Sequence, residues 1–235
     1  MKKISVASHN ICFMGYNPID KSQHSADGEH RMGYEADMVE PMKERWNKVM
    51  SSFSADIIGI QEYCPWFDAA QTEKTEDVVY RPFGYEVIYD GGISPASKWP
   101  MEKVYKRFYE PVSQRVYQKF IVNVDGDPIV IFNTHPTPKD NGGIRKGEYE
   151  ILLSELKKEE RFIAFGDFNA RTPDEFIPFL EAGYYLANSG IRTVTNNCTC
   201  DNIICSSNIR IEKVDLFDRQ FSLSDHCVLY AELRI

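Results

Sequence analysis

Short apolar runs recur along this chain, and each meets polar residues of the kinds that do chemistry. Residues 3–7 run into Ser8-His9-Asn10, residues 56–60 into Gln61-Glu62, and residues 129–132 into Asn133-Thr134-His135-Pro136. Residues 161–165 end at Gly166-Asp167-Phe168-Asn169. Near the C-terminus the order reverses, with Cys200-Asp201-Asn202 leading into residues 203–205 and Ser224-Asp225-His226 into residues 227–233. Short apolar runs with little alternation suit strands buried on both faces. Such strands need a covering layer on each side.

The segments between them supply it. Met42, Trp46, Val49, Met50 and Phe53 recur at helical spacing over residues 40–53, with Pro41 in the first turn, where a missing N–H costs nothing. Ile151, Leu152 and Leu156 mark a helix over residues 148–158, and Thr172-Pro173-Asp174-Glu175 starts another over 176–181. Further strands are expected at 85–89, 116–124 and 209–216, with Asp125-Gly126-Asp127 as a hairpin turn. Interleaved strands and helices predict an α/β chain with sheets sandwiched between helices. Two long polar segments, 13–37 and 91–111, read as loops at the rim of a site.

With 235 residues, 43% of them hydrophobic, and no linker-like stretch, a single domain over residues 1–235 is expected. The 35 acidic and 27 basic residues leave a net charge of −8, which argues against salt-driven clamping on a polyanion as the main binding mode. No segment reads as a signal peptide or a membrane span, so the six cysteines are expected to stay reduced in the cytoplasm. Cys198, Cys200 and Cys205 match no paired zinc spacing and read as structural thiols, with a zinc-stabilised interaction domain as the competing reading.

The polar ends supply hard oxygen ligands, two imidazoles and two amides, a set suited to metal-assisted attack of water on a phosphate ester. Glu62 emerges from a buried run and suits Mg2+ or Mn2+; alone it is equally a surface glutamate at a strand end. Gly166 allows a tight turn that sets Asp167 and Asn169 on one side, to orient water and to donate to a phosphoryl oxygen. An ordinary Asx turn is the plain alternative. Asp225 is a candidate for metal or water and His226 for phosphate, with Asp201 behind His226 to hold its orientation and charge. His135 alone reads as a hydrogen-bonded, half-buried histidine.

Taken in order, Asn10, Gln61-Glu62, Thr134-His135, Gly166-Asp167-Phe168-Asn169, Asp201-Asn202-Ile203-Ile204 and Ser224-Asp225-His226 resemble the endonuclease/exonuclease/phosphatase superfamily. The resemblance spans residues 10–226. It implies a four-layer α/β sandwich of two mixed β-sheets flanked by helices, cleaving phosphate esters with a divalent metal, Mg2+ with Mn2+ as a substitute. By the same resemblance Glu62 is the principal metal ligand, with Asn10 and Asp225 in the metal and water network. Asp167 activates water, Asn169 and His226 contact phosphate, Asp201 backs His226, and His135 assists the phosphate or leaving oxygen. The abasic-site endonuclease branch has tyrosine where this chain has His135, and aspartate where it has Cys12. Both departures argue against abasic-site repair.

The resemblance points to a nuclease-like phosphodiesterase. A phosphatase or phospholipase C-type enzyme acting on an inositol phosphate or sphingomyelin is the alternative, and a catalytically silent binding module is a third reading. Segment 91–111 mixes Lys98, Lys106 and Arg107 with Trp99, Tyr105, Phe108 and Tyr109, which makes Arg107 and Tyr109 candidate substrate contacts, with nucleic acid among the candidate substrates. An amphipathic cover packed on the sandwich is equally compatible. Neither polar segment has the apolar protrusion of a lipid-surface enzyme, so no stable membrane association is expected.

Overall fold

The computed structural model describes residues 2–19, 32–138, 142–196 and 198–235, and all side chains among them except that of Lys103. His24, His30 and Arg31, which the sequence placed in a site-walling segment, lie outside the described residues. The chain runs β1 (Lys3–Asn10), α1 (Val39–Ser52), β2 (Ile57–Gln61), β3 (Glu86–Val87), β4 (Ile93–Ser97), β5 (Met101–Phe108), β6 (Val116–Val124) and β7 (Asp127–His135). It continues through α2 (Ile144–Leu156), β8 (Phe162–Asp167), α3 (Ile177–Glu181), β9 (Tyr185–Leu186), β10 (Asp201–Cys205), β11 (Arg210–Phe217) and β12 (Val228–Arg234).

The strands form two six-stranded sheets, ordered β11-β12-β1-β2-β4-β3 and β5-β6-β7-β8-β10-β9. Each sheet holds one parallel pair at its centre, β1 with β2 and β7 with β8, among antiparallel neighbours. A parallel pair needs a crossover, which α1 supplies in the first sheet and α2 in the second. Within each pair both strands therefore finish at the same sheet edge.

Side-chain alternation builds the layers. Ile4 and Val6 of β1, Ile129 and Ile131 of β7, and Ile163 and Phe165 of β8 fill the core between the sheets. Ala7 and Ile58 face outward to Met42 and Trp46 of α1. Phe132, Phe162 and Ala164 face the other way, to Tyr149 and Leu152 of α2 and Phe179 of α3. The result is the four-layer α/β sandwich of two mixed sheets. Each fully buried Ile, Leu or Phe contributes roughly 1.5–3 kcal/mol of transfer free energy. Gly59 is required at its place in β2, because a Cβ there would overlap the Phe165 ring across the sandwich.

One of the two expected rim loops proves to be strands. Segment 91–111 is not a loop: it folds into β4 and β5, joined by a short turn. Two features hid these strands. β4 is Ile-Ser-Pro-Ala-Ser, buried throughout yet poor in large apolar residues. β5 is an edge strand whose Glu102, Lys106 and Arg107 face water, a common protection against edge-to-edge pairing. All six cysteines are free thiols, and Cys205 packs in the inter-sheet core.

Candidate active site

β1, β2, β7 and β8 end at one edge of the sandwich, and β10 and the segment entering β12 begin there. Asp167, the last residue of β8, is the hub. Its Oδ2 accepts from Asn10 Nδ2 at 3.0 Å and lies 3.4 Å from His135 Nε2 and 3.7 Å from His226 Nε2. Its Oδ1 accepts from the Asn169 backbone N–H at 2.8 Å. Asp201 stands directly opposite it in the antiparallel β8–β10 register. Glycine precedes it for a steric reason: a Cβ on Gly166 would collide with the Thr134 carbonyl of the neighbouring strand.

The backbone is bent at the same edge. Cys12, Phe13, Met14, Glu62 and Asn169 account for five of the nine described non-glycine residues with positive φ. Left-handed geometry costs a non-glycine residue on the order of 1–3 kcal/mol and is retained where surrounding structure enforces it. Here the Phe13 N–H donates to the Glu62 carbonyl at 2.7 Å, carrying the β1–β2 contact past both strand ends.

Four carboxylates meet here: Glu62, Asp167, Asp201 and Asp225. Among the described residues no lysine or arginine pairs with any of them; their recorded partners in ion pairs are His135 and His226. Burial pushes the Glu62 carboxyl up to about 7, with Asp167 and Asp225 adding to the rise against the opposing pull of Asn10 and His226. Asp167 moves the other way: burial opposes its charge, but His226, His135, the Asn10 amide and the Asn169 N–H hold it below its ordinary range. It is therefore an ionised acceptor at neutral pH.

The imidazoles differ sharply. Burial lowers His135 to about 4, so it is neutral near pH 7. Burial works against charge on His226 too, but Asp201 and Asp167 outweigh it and raise the group well above its ordinary value. His226 Nδ1 donates to Asp201 Oδ2 at 2.9 Å, which leaves its charged Nε2–H free to face the cluster.

Four carboxylates faced by one charged imidazole and, among the described residues, by no lysine or arginine suit a divalent cation, and a glutamate at about 7 is a group that such a cation would ionise fully. Glu62, Asp225 and the Asn10 amide oxygen, which accepts from the Cys12 N–H at 3.1 Å, are hard donors at the same edge. Ligand atoms of Asp167, Asp201 and His226 also lie within 4.8 Å of one another, but a protonated His226 offers no lone pair and Asp201 Oδ2 is already its partner. That trio is the poorer cradle.

The sequence-derived residues Asn10, Glu62, His135, Asp167, Asn169, Asp201, Asp225 and His226 thus share one edge. Asn169 turns its side-chain amide to the Pro136 carbonyl at 2.9 Å, tying the two loops that follow β7 and β8. The two proposed substrate contacts are corrected. Tyr109 is fully buried, its hydroxyl bonded to that of Thr134, and can reach no substrate. Arg107 stacks over Tyr105 and lines an outer-face groove with Tyr117, Lys119, Glu155 and Glu159, among none of the clustered residues. Cys12 was read only as a departure from the abasic-site pattern, yet its thiol donates to Asp225 Oδ1 at 2.7 Å. Its position two residues past Asn10 was the available signal.

No protein-family profile and no curated protein sequence matches this chain. Solved structures do match. TDP2 of D. rerio, solved with a single-strand DNA product, superimposes with a TM-score of 0.73 at 16% identity, covering 100% of both chains. An endonuclease/exonuclease/phosphatase from Beutenbergia cavernae gives 0.71 at 13% identity, covering 100% of this chain and 72% of that one. ANGEL2, a 2',3'-cyclic phosphatase solved with adenosine-2',3'-vanadate, gives 0.72 at 15% identity, covering 99% and 96%. The chain has the endonuclease/exonuclease/phosphatase fold. Among the described residues no helix is long and apolar enough to cross a membrane.

Proposed function

We propose that the protein is a Mg2+-dependent phosphoesterase, with Mn2+ as a substitute, that hydrolyses phosphodiester bonds in the manner of a nuclease. The observation that carries this reading is the ionised Asp167 ringed by Asn10, His135 and His226, beside carboxylates that pair with no lysine or arginine among the described residues. Solved neighbours of the same fold include one bound to a DNA product and one bound to a nucleotide vanadate, which supports a phosphate-ester substrate, nucleic acid among the candidates. The six free thiols, five of them buried, suit a reducing compartment such as the cytoplasm.

A cation held by Glu62, Asp225 and the Asn10 amide oxygen would polarise a phosphoryl oxygen and offset developing negative charge. Asp167 accepts a hydrogen bond from the attacking water and takes its proton as the new P–O bond forms. The charged Nε2–H of His226 donates to a phosphoryl oxygen, where charge grows in the transition state. The neutral His135 imidazole stands near Asp167 and Glu62 as a donor to the leaving oxygen, whose ester bond to phosphorus breaks. Asn169 shapes the phosphate side through its turn and its bond to Pro136.

The test is a panel of plasmid DNA, single-stranded DNA, RNA, phosphoinositide, sphingomyelin, a 2',3'-cyclic nucleotide and a bis-aryl phosphodiester, assayed with Mg2+, Mn2+ or excess chelator. Metal-dependent turnover of at least one phosphodiester is expected, abolished by Glu62→Gln and lowered about 10²-fold or more by Asp167→Asn. Full activity in excess chelator, or near wild-type turnover by Asp167→Asn, would overturn the assignment.

A further inference from the structure

We propose that α2 carries a positioning cluster for this site, in which Glu148, helped by Arg145 and Tyr149, sets where His135 and Asn169 stand. The inference rests on the phosphoesterase reading above.

The buried face of α2 changes character along its length. In its C-terminal half Leu152 and Leu156 pack on the sheet; one turn nearer the site edge the same face presents Arg145, Glu148 and Tyr149, all buried. Burying a carboxylate and a guanidinium is costly unless every polar atom is used, and an apolar residue would pack there at lower cost. Both groups bond to the loops that follow β7 and β8. Glu148, fully buried, accepts from the Thr137 N–H at 2.7 Å, from the Thr137 hydroxyl at 2.6 Å and from the Ser113 hydroxyl. Thr137 lies two residues past His135.

Arg145 reaches both loops. Its Nε and Nη2 hold Glu175 Oε2 at 2.8 and 2.7 Å, while Nη1 lies 3.4 Å from the carbonyls of Thr137 and Pro138. Glu175 accepts in turn from the Arg171 N–H at 2.7 Å, and the Tyr149 hydroxyl donates to the Phe168 carbonyl at 2.7 Å. The bond from the Asn169 amide to the Pro136 carbonyl closes the circuit. One helical turn thereby holds the backbone just after His135, at Thr137 and Pro138, and on either side of Asn169, at Phe168 directly and at Arg171 by way of Glu175. Misplacement of reacting groups by about 1 Å can cost 10²-fold in rate, so this cluster sets turnover without touching substrate.

The test compares wild type with Glu148→Ala, Glu148→Gln and Thr137→Val, reading kcat and KM on an unactivated phosphodiester and amide hydrogen exchange by NMR. Glu148→Ala should lower kcat about tenfold or more with KM within about twofold, and Glu148→Gln, which keeps one acceptor, should recover part of the loss. The Thr137 and Asn169 amides should exchange faster while those of β7 and β8 stay protected. In a cycle with Asn169→Ala the losses should be less than additive. Wild-type kcat in Glu148→Ala, or unchanged exchange at Thr137 and Asn169, would overturn the proposal. If Glu148→Ala does not fold, Thr137→Val supplies the same readouts in a milder form. If wild type cleaves no ester in the panel, the functional reading falls while exchange still decides the clamp.

Discussion

Asp201→Asn isolates the charge on His226. Burial pushes His9 down to about 3 and His135 down to about 4, whereas His226, also buried, rises above its ordinary 6.5. The difference is Asp201 at 2.9 Å from Nδ1, with Asp167 at 3.7 Å from Nε2 as a secondary contribution. Asparagine keeps the shape and removes the charge. Without it His226 should fall toward the level of His135, which burial lowers to about 4. At pH 7 the variant imidazole would be neutral, and kcat/KM should fall about 10²-fold. The sign of the pH response follows: activity of the variant, relative to wild type, should recover as pH falls toward that level, because protonation restores the missing charge. The assay is kcat/KM from pH 4 to 9 beside an NMR titration of the His226 ring in metal-free protein. A uniform loss with an unchanged pH profile, or a His226 still charged at pH 7, would refute the electrostatic argument and leave Asp201 an orienting role only.

Three further outcomes are expected. His135→Ala should be mild on an activated aryl ester, whose leaving oxygen needs little stabilisation by a hydrogen-bond donor, and severe on a natural ester; equal losses on both would remove leaving-group assistance from His135. His9 has a folded value of about 3 against roughly 6.5 unfolded, so its neutral form supports the fold above pH 6.5 and that support is lost as pH falls toward 3. This amounts to roughly 2 kcal/mol between pH 7.5 and 5, and His9→Gln should flatten the fall in urea midpoint over that range; equal falls would refute it. Gly59→Ala should destabilise by about 1–3 kcal/mol through its clash with Phe165, and Phe165→Leu should relieve part of that; strictly additive urea midpoints would count against the contact.

Much of the architecture was legible because burial writes itself into periodicity. β6 falls at residues 116–124 as its spacing predicts, and α1 is displaced by one residue from the expected 40–53. β4 and β5 were not legible, since a strand of small residues and an edge strand rich in charge carry no apolar alternation. The start of α2 was also missed: its first turns present Arg145 and Glu148 inward, where periodicity looks for apolar residues. The same buried charges underlie the proposed positioning role.

The sequence by itself determined that strands end in Glu62, His135 and Asp167, because a buried strand must stop being apolar where it leaves the core. It also supplied Gly59 and Gly166, without which neither the sheet contact nor the β7–β8 approach would close. Only the tertiary structure decided the electrical state of those ends. Asn10 and Asp167 are 157 positions apart yet bonded at 3.0 Å, and the neutral His135 and charged His226 are told apart by which carboxylate each meets. Tyr109 and Arg107 are the complementary case: residue type marked them as substrate contacts, and packing turned one into the core and the other onto the outer face. Charge and accessibility depend on distances through space and on the water excluded between groups, and neither quantity is local in sequence.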